Sequence, residues 1–471
     1  MRTHRIRCTR IAAAIAGTLL GLGAQQAFGA AFALQEQSGS GLGNAFAGGA
    51  AAAEDASTVY WNPAGMSRMP GIQGAAAGSL ICLSAKFRDN GSQPAALQPL
   101  GDTGGDAGNC NVIPAAYLVV PINKQWAFGL GVNVPFGLKT EYDNSWIGRF
   151  QAVKSELEAI NVNPGLSWKP VDNFTIGAGF SWQRLYKATL TQEVNYAGLI
   201  AQAGAQAAAA GLIPASDVAP IVGAYAGSQS DGSVDGNDNA WGWNIGALIE
   251  FDKDTRLGVA YRSTISYTVN GTVSFNNPPV PTLPSPLVPS ATLLAGLVNS
   301  GLSNGNVSVA IKVPSTTNVS IFKHVDRWDL MGDLQFTNWS TIQNLTVVRS
   351  NGTVLESFPE NFRNTWRGSI GANYYYSNEW MFRGGLAYDQ TPVNNTDRTP
   401  RLPDNDRTWF SVGAQYKFNP QTWLDFGYTY IYIQNPNINQ NNGSTASFGL
   451  ISGSYRTFVN LAAVQLTYTF K

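Results

Sequence analysis

The side chains able to do covalent chemistry are few and scattered. Beyond the first 29 residues a single histidine remains, His324, in a short polar turn. A lone turn histidine is ordinarily solvated, and no His/Cys group has the spacing that holds a zinc-like metal. Ser315, Asp389 and His324 are too far apart along the chain's plan of elements to assemble a nucleophile, a base and an orienting acid. No Gly-Lys-Ser/Thr phosphate loop occurs. No enzyme can be assembled from these residues, and they call for neither metal nor cofactor. Cys82 and Cys110 flank a stretch rich in Gly, Pro and Asp. In an exported chain such a pair is expected to form a disulfide; the alternative is two buried, unreacted thiols.

Export is written at the start. Arg2, Arg5, Arg7 and Arg10 precede an apolar run from Ile11 to Leu22, and Ala27-Phe28-Gly29 supplies a small-x-small site. This predicts a secretory signal over 1–29, cut after Gly29. The run is shorter than the roughly 20 residues of a spanning helix, so a membrane anchor is the weaker reading. Nothing later is apolar for long enough to span as a helix. Yet the chain is 44% hydrophobic and 11% aromatic, with only 13% charged residues and 50 glycines. Soluble domains average about 25% charged. Loss of the four signal arginines leaves 26 basic residues against 30 acidic ones, with no basic stripe, so no nucleic acid partner is expected.

Alternation supplies the elements. From Trp241 to Phe251, Trp241, Trp243, Ile245, Ala247, Ile249 and Phe251 share one face, while Gly242, Asn244 and Gly246 share the other. Trp423 to Ile433 and Met381 to Asp389 repeat the pattern, the latter placing Arg383 and Asp389 opposite Phe382, Leu386 and Tyr388. Period two with aromatics at the ends of the apolar face is the signature of a transmembrane β-barrel. Six short polar turns alternate with longer loops near 89–110, 137–149, 194–238, 276–305, 345–360, 390–405 and 435–452. Six turns and seven loops predict an all-β fold of 14 antiparallel strands over 70–471, with both ends periplasmic. Residues 30–69 are small, mildly apolar and poor in alternation, as a helical plug would be. The loop at 194–238 reads as one or two short helices, and that at 276–305 is apolar among prolines. Apolar loops in water either pack on each other or bind something apolar.

Several segments resemble one family. They are SGSGLGNAFAG (Ser38 to Gly48), Asn62-Pro63-Ala64, WGWNIGALIE (Trp241 to Glu250) and VAYRS (Val259 to Ser263). NYYYSNEWMFRGGLAYDQTPV (Asn373 to Val393) and LPDNDRTW (Leu402 to Trp409) continue the series. In this order the chain resembles the outer-membrane long-chain fatty-acid transporters, FadL-type channels, which include aromatic-hydrocarbon uptake proteins. The resemblance implies a 14-stranded barrel with an N-terminal hatch in the outer membrane of a Gram-negative bacterium. It implies passive transport: capture between external loops, a lumen pocket touched by the N-terminus, and sideways exit past a kinked third strand. Long-chain fatty acids are the first substrate implied; aromatic or aliphatic hydrocarbons are the alternative. A general porin or surface adhesin fits the apolar loops and filled lumen less well. Outer-membrane lipid, lipopolysaccharide and the barrel-assembly machinery are the expected surroundings of a monomeric chain.

The resemblance also assigns residues. Phe32 and Leu34 fall at the ligand-contacting end of the hatch, or else pack plug against wall. Asn62 and Pro63 would hold the hatch, proline by fixing φ and asparagine by bonding to the wall. Pro135 and Gly137 fall at the lateral-gate kink, unless they mark an ordinary strand end. Asp389 matches a pocket aspartate. The pocket's basic partner belongs near Thr191 to Glu193, where no Lys or Arg stands; Lys187 and Arg407 are the nearest substitutes. Arg407 would lie across a hairpin from Asp389 and pair with it.

Overall fold

The computed structural model describes residues 31–470, so the signal expected at 1–29 lies outside the described residues. From Gln73 onward, 14 antiparallel strands close a barrel. β1 is Gln73–Asp89, β2 Cys110–Pro121, and β3 Trp126–Asn133 resuming at Gly137–Glu141. β4 is Lys154–Val171, β5 Phe174–Val194 and β6 Ser230–Glu250. Four strands then break once each: β7 (Thr255–Arg262, Ile265–Asn276), β8 (Gly305–Val313, Thr316–Val325), β9 (Trp328–Thr337, Asn344–Arg349) and β10 (Val354–Pro359, Thr365–Tyr375). β11 is Trp380–Asp389, β12 Arg407–Asn419, β13 Thr422–Ile433 and β14 Ile451–Thr469. β14 closes on β1, from Thr469 opposite Gln73 to Gly453 opposite Asp89.

The count of 14 matches the punctuation read from the sequence, but three loop boundaries move; the loop expected at 194–238 ends before Ser230, because residues 231–236 already pair with both neighbouring strands. Residues 345–360, expected as a loop, are mostly strand, because the ends of β9 and β10 pair with each other around a tight turn. The loop expected from 137 begins after Glu141, since Gly137–Glu141 still pairs with β4.

The faces follow the alternation. Trp241, Trp243 and Ile245 point outward, each about half exposed, as do Phe426, Tyr428 and Tyr430. Asn244, Asp425 and Thr429 point inward and are buried. An aromatic outer face is costly in water but is solvated by lipid.

Residues 31–72 fill the lumen with little regular structure: helices α1 (Gly39–Leu42) and α2 (Thr58–Trp61) and a 3-10 turn, Pro63–Arg68. Irregular backbone buried in a barrel needs partners for its carbonyls. Wall arginines supply them: Arg383 donates to Ser40 O (2.5 Å), Arg367 to Ala45 O (2.8 Å), Arg256 to Ala51 O (3.0 Å) and Arg262 to Tyr60 O (2.8 Å). Arg383 also bridges Glu54 and Asp425, at 3.2 and 2.9 Å. Close approach is allowed by inward glycines; a Cβ on Gly258 would collide with the Ala50 carbonyl, and one on Gly385 with Asn44.

On the opposite, external side, α3 (Tyr196–Ala209) and α4 (Ala215–Ala224) follow β5, and α5 (Val288–Gly301) follows β7. Ile200, Ile221 and Tyr225 bury themselves against Ala291, Leu294 and Val298, so the two apolar loops pack on each other. Cys82 and Cys110 face each other across β1 and β2 and are joined as a disulfide.

Candidate functional site

Two cavities lie inside the external half of the barrel. The outer one, ≈ 600 Å³, is roofed by α3 and lined by Leu190, Leu199, Phe275, Leu302 and Leu355 among others. The inner one, ≈ 100 Å³, is walled by Val269, Val309, Ile311, Ile342, Phe362 and Leu402, and Phe32 reaches it from the hatch. Leu190, Val234, Val347, Phe358 and Arg401 line both, so the cavities share a wall. The linings come from β3 to β10 and the loop after β11, with mostly aliphatic side chains facing inside. Each buried CH₂ of a ligand would gain about 0.8 kcal/mol there.

The polar groups are not those the sequence singled out. Lys187 ion-pairs with Glu156 at 2.7 Å, and Lys154 also reaches that carboxylate. Asp389 and Arg407 do stand opposite each other across β11 and β12. Arg407 nevertheless turns to Asp404, with Nε at 3.0 Å and Nη2 at 2.6 Å, so the expected Asp389–Arg407 pair does not form. Asp404, three residues before Arg407, offers the guanidinium two contacts to one oxygen. Its other oxygen accepts from Thr391 Oγ1 (2.7 Å) and the Ala31 amide (3.1 Å). Lys187, Asp389 and Arg407 line neither cavity.

The base in the cavities is Arg401, which the sequence reading missed. It comes from the loop after β11 and donates Nη2 to Gln192 Oε1 (2.5 Å), beside the position where no Lys or Arg stands in sequence. Nη1 donates to Lys154 O (3.2 Å) and Ser155 Oγ (3.1 Å), and the guanidinium lies 5.0 Å from the Phe358 ring centroid. Glu360, in the break of β10, faces the same inner cavity. It lies in the gap between the strand segments Val354–Pro359 and Thr365–Tyr375. Burial pushes its carboxyl up to about 8, with Arg401 opposing the shift and Asp397 adding to it.

The N-terminal segment completes a damaged wall. β2 pairs with β3 only from Ala116 opposite Val132 to Pro121 opposite Ala127, leaving residues 110–115 without β3 partners. Asn133 stands opposite Asn161 and Gly137 opposite Glu158, so three residues, 134–136, face two on β4. That extra residue is a bulge, and it bends the strand away from β2. Pro135 has no amide hydrogen to pair there. The hatch fills in: Leu34 N donates to Pro135 O and Gly137 N to Phe32 O, both at 2.9 Å, and Gln37 Nε2 to Val134 O at 2.9 Å. Phe32 packs on Trp339, with ring centroids 4.9 Å apart, and on Phe136 at 6.1 Å.

Asn62 ties the other end of the hatch. Its Nδ2 donates to Ala50 O (2.7 Å) and to Ala247 O of β6 (2.9 Å), while Oδ1 accepts from Ala64 N (3.0 Å). Pro63 starts the 3-10 turn, where a missing amide hydrogen costs nothing.

Comparison with known proteins agrees with this geometry. Residues 20–470 match the family model described as Outer membrane protein transport protein (OMPP1/FadL/TodX). The chain is 30% identical to the Long-chain fatty acid transport protein of Escherichia coli K12 over 450 residues, 92% of this chain and 94% of that one. A Pseudomonas aeruginosa FadL homologue superposes with a TM-score of 0.81 at 26% identity, covering 94% of this chain and 100% of that chain. The Pseudomonas putida toluene transporter TodX shares the fold with a TM-score of 0.64 at 18% identity, covering 94% of this chain and 100% of its own. A lipid-facing barrel with a hatch in its lumen, matched along nearly its whole length, makes this chain a member of the OMPP1/FadL/TodX family of outer-membrane transport proteins.

Proposed function

We propose that this chain carries long-chain fatty acids across the outer membrane by passive diffusion, without chemistry on the ligand. The observation that carries the reading is the line of apolar space from the loop helices, through two adjoining cavities, to a wall break closed by the N-terminal segment. A fatty acid would enter under α3, pass Arg401 into the inner cavity and rest against Phe32. Displacing Phe32 and Leu34 from residues 135–137 would then open the stretch where β2 lacks a partner. Leaving there into lipid avoids re-exposing the acyl chain to water at about 0.8 kcal/mol per CH₂. Asn62 and Pro63 hold the rest of the hatch while its first residues move.

A second reading is uptake of aromatic or aliphatic hydrocarbons. It is favoured by the inner lining, where Glu156, Asp235 and Glu360 outnumber Arg401. Both readings are tested by uptake of radiolabelled oleic acid and toluene into a strain lacking other such channels. Expression should raise oleic acid uptake above an empty vector, and Phe32→Ala should lower it about tenfold by removing an aromatic wall. Uptake equal to the empty vector for both ligands would sink the transport reading; uptake of toluene alone would favour the second.

A further inference from the structure

On the outer face of the barrel three cations gather around little opposing charge. Along β1, Ile81, Leu83, Ala85 and Phe87 are buried, so Lys86 and Arg88 point outward. Along β14, Tyr455, Thr457 and Val459 are buried, so Arg456 points outward too. All three are exposed. Lys86 stands directly opposite Arg456, and Arg88 opposite Ser454. Opposed side chains on one face are about 5 Å apart at Cβ, where like charges destabilise the ladder, and the diagonal from Arg88 to Arg456 is about 7–8 Å. Among the described residues Arg88 and Arg456 have no hydrogen-bond or ion-pair partner for their side chains. Lys86 reaches Asp106 at 3.8 Å, but that carboxylate already accepts from Ser84 Oγ (2.7 Å) and from the amides of Ala85 (2.7 Å) and Gly108 (3.1 Å). Asp89 turns to the Ser92 amide. Other cations of the external half are matched: Lys139, Lys154 and Lys187 surround Glu156, and Arg363 meets Asp406.

The height of the cluster follows from the strand. From Tyr468 to Phe458 the outward positions of β14 are apolar or aromatic except Asn460, which Tyr428 meets with a hydrogen bond of 2.8 Å. At about 3.3 Å per residue and a tilt of about 40°, that stretch climbs roughly 25 Å, the height of the apolar band of an outer-membrane barrel. Phe458 and Tyr430, with ring centroids 6.3 Å apart, stand at its upper rim. Arg456 is the next outward residue, with Lys86 and Arg88 beside it, so the cluster lies level with the headgroups of the external leaflet. Neutral donors adjoin it: Asn437 stands opposite Ser454, and Gln434 is exposed just past the end of β13.

We propose that Lys86, Arg88 and Arg456 bind the lipid A phosphates of lipopolysaccharide on the outer face of the β1–β14 seam. A phosphate set between opposed cations replaces their repulsion with charge-assisted bonds, and arginine meets phosphate oxygens in pairs. Gln434, Asn437 and Ser454 suit the hydroxyls of a sugar backbone, and the acyl chains lie down the apolar column below Phe458. A zwitterionic phospholipid would bring its own cation into the cluster, and a monoanionic one offers less charge and no sugar backbone. The site is outside the lumen and is independent of which ligand the lumen carries.

The test is binding of lipid A, of lipid A with its phosphates removed, and of phosphatidylglycerol to the purified, lipid-stripped full chain. It is read by native mass spectrometry in detergent with divalent cations chelated. Wild type should bind lipid A about tenfold more tightly than either other lipid. The triple variant Lys86→Gln, Arg88→Gln, Arg456→Gln should lose that tenfold, and Arg456→Gln alone should lose about threefold. Arg184→Gln with Lys312→Gln, which removes outward cations from β5 and β8, should bind like wild type. Heat-modifiable migration on gels confirms an intact barrel in each. Equal wild-type affinity for dephosphorylated lipid A or phosphatidylglycerol overturns the proposal. So does wild-type affinity in the triple variant, or an equal loss in the β5 and β8 variant, which would make the effect one of diffuse charge.

Discussion

Glu360 and Arg401 show how little of a site is visible one residue at a time. Arg401 meets Gln192 across 209 positions of sequence, a neighbourhood that no spacing rule announces. Asp389 and Arg407 show the opposite failure. Alternation places Asp389 on the inner face, and the hairpin puts Arg407 opposite it, yet Asp404 captures the guanidinium. Facing is a backbone property; pairing is decided by whichever acid reaches the fork first. The unpartnered Glu360 also has a stability consequence. Below about pH 4.5 the folded and unfolded chains both hold its proton. Between there and about 8 only the folded chain does, and above 8 the fold carries a buried charge. Stability of the external half therefore falls from pH 4.5 to 8 and levels off above. Glu360→Gln should slow proteolysis of the external loops at pH 9 and leave it unchanged at pH 4. Equal protection of both proteins at pH 9 would contradict this.

Strands were the legible elements, because period-two alternation is local and the turns between them carry Pro, Asn and Asp. Their number and inward faces could be read directly. The strand ends are less legible: 345–360 reads as a loop because Leu345, Val347, Leu355 and Phe358 are interspersed with polar residues, yet the ends of β9 and β10 pair with each other. The β3 bulge was only half legible. Pro135 and Gly137 signalled irregularity, but the count of three residues against two needs the register of β4. That count gives a sharp test of the proposed exit. Deleting Pro135 alone leaves two residues opposite two, which would let β3 run straight alongside β2. The barrel should still assemble and migrate normally, while oleic acid uptake drops to near the empty-vector level. Unchanged uptake in a correctly assembled deletion would place the exit elsewhere.

At the scale of the molecule, the lumen is occupied because the wall is built to be covered. Arg383, Arg367, Arg256 and Arg262 are buried on hatch carbonyls, and inward glycines take the hatch backbone at close range. Removing residues 30–66 should expose these arginines to water and leave a continuous pore. Planar-bilayer recordings should then show steady conductance far above that of the intact chain. A truncated barrel as quiet as the full one would mean that the external loops, not the hatch, seal the lumen.

The unpaired edge of β2 has a consequence for direction. Residues 110–115 have no β3 partner, and on the proposed exit route they would open onto lipid rather than a periplasmic mouth. A ligand released there would stay in the same membrane and could return by the same route. Passive passage of that kind would speed equilibration but set no gradient of its own. Net inward flow would be governed by whatever drains the leaflet on the cell's side, and a strain unable to consume the ligand should load quickly, then stop.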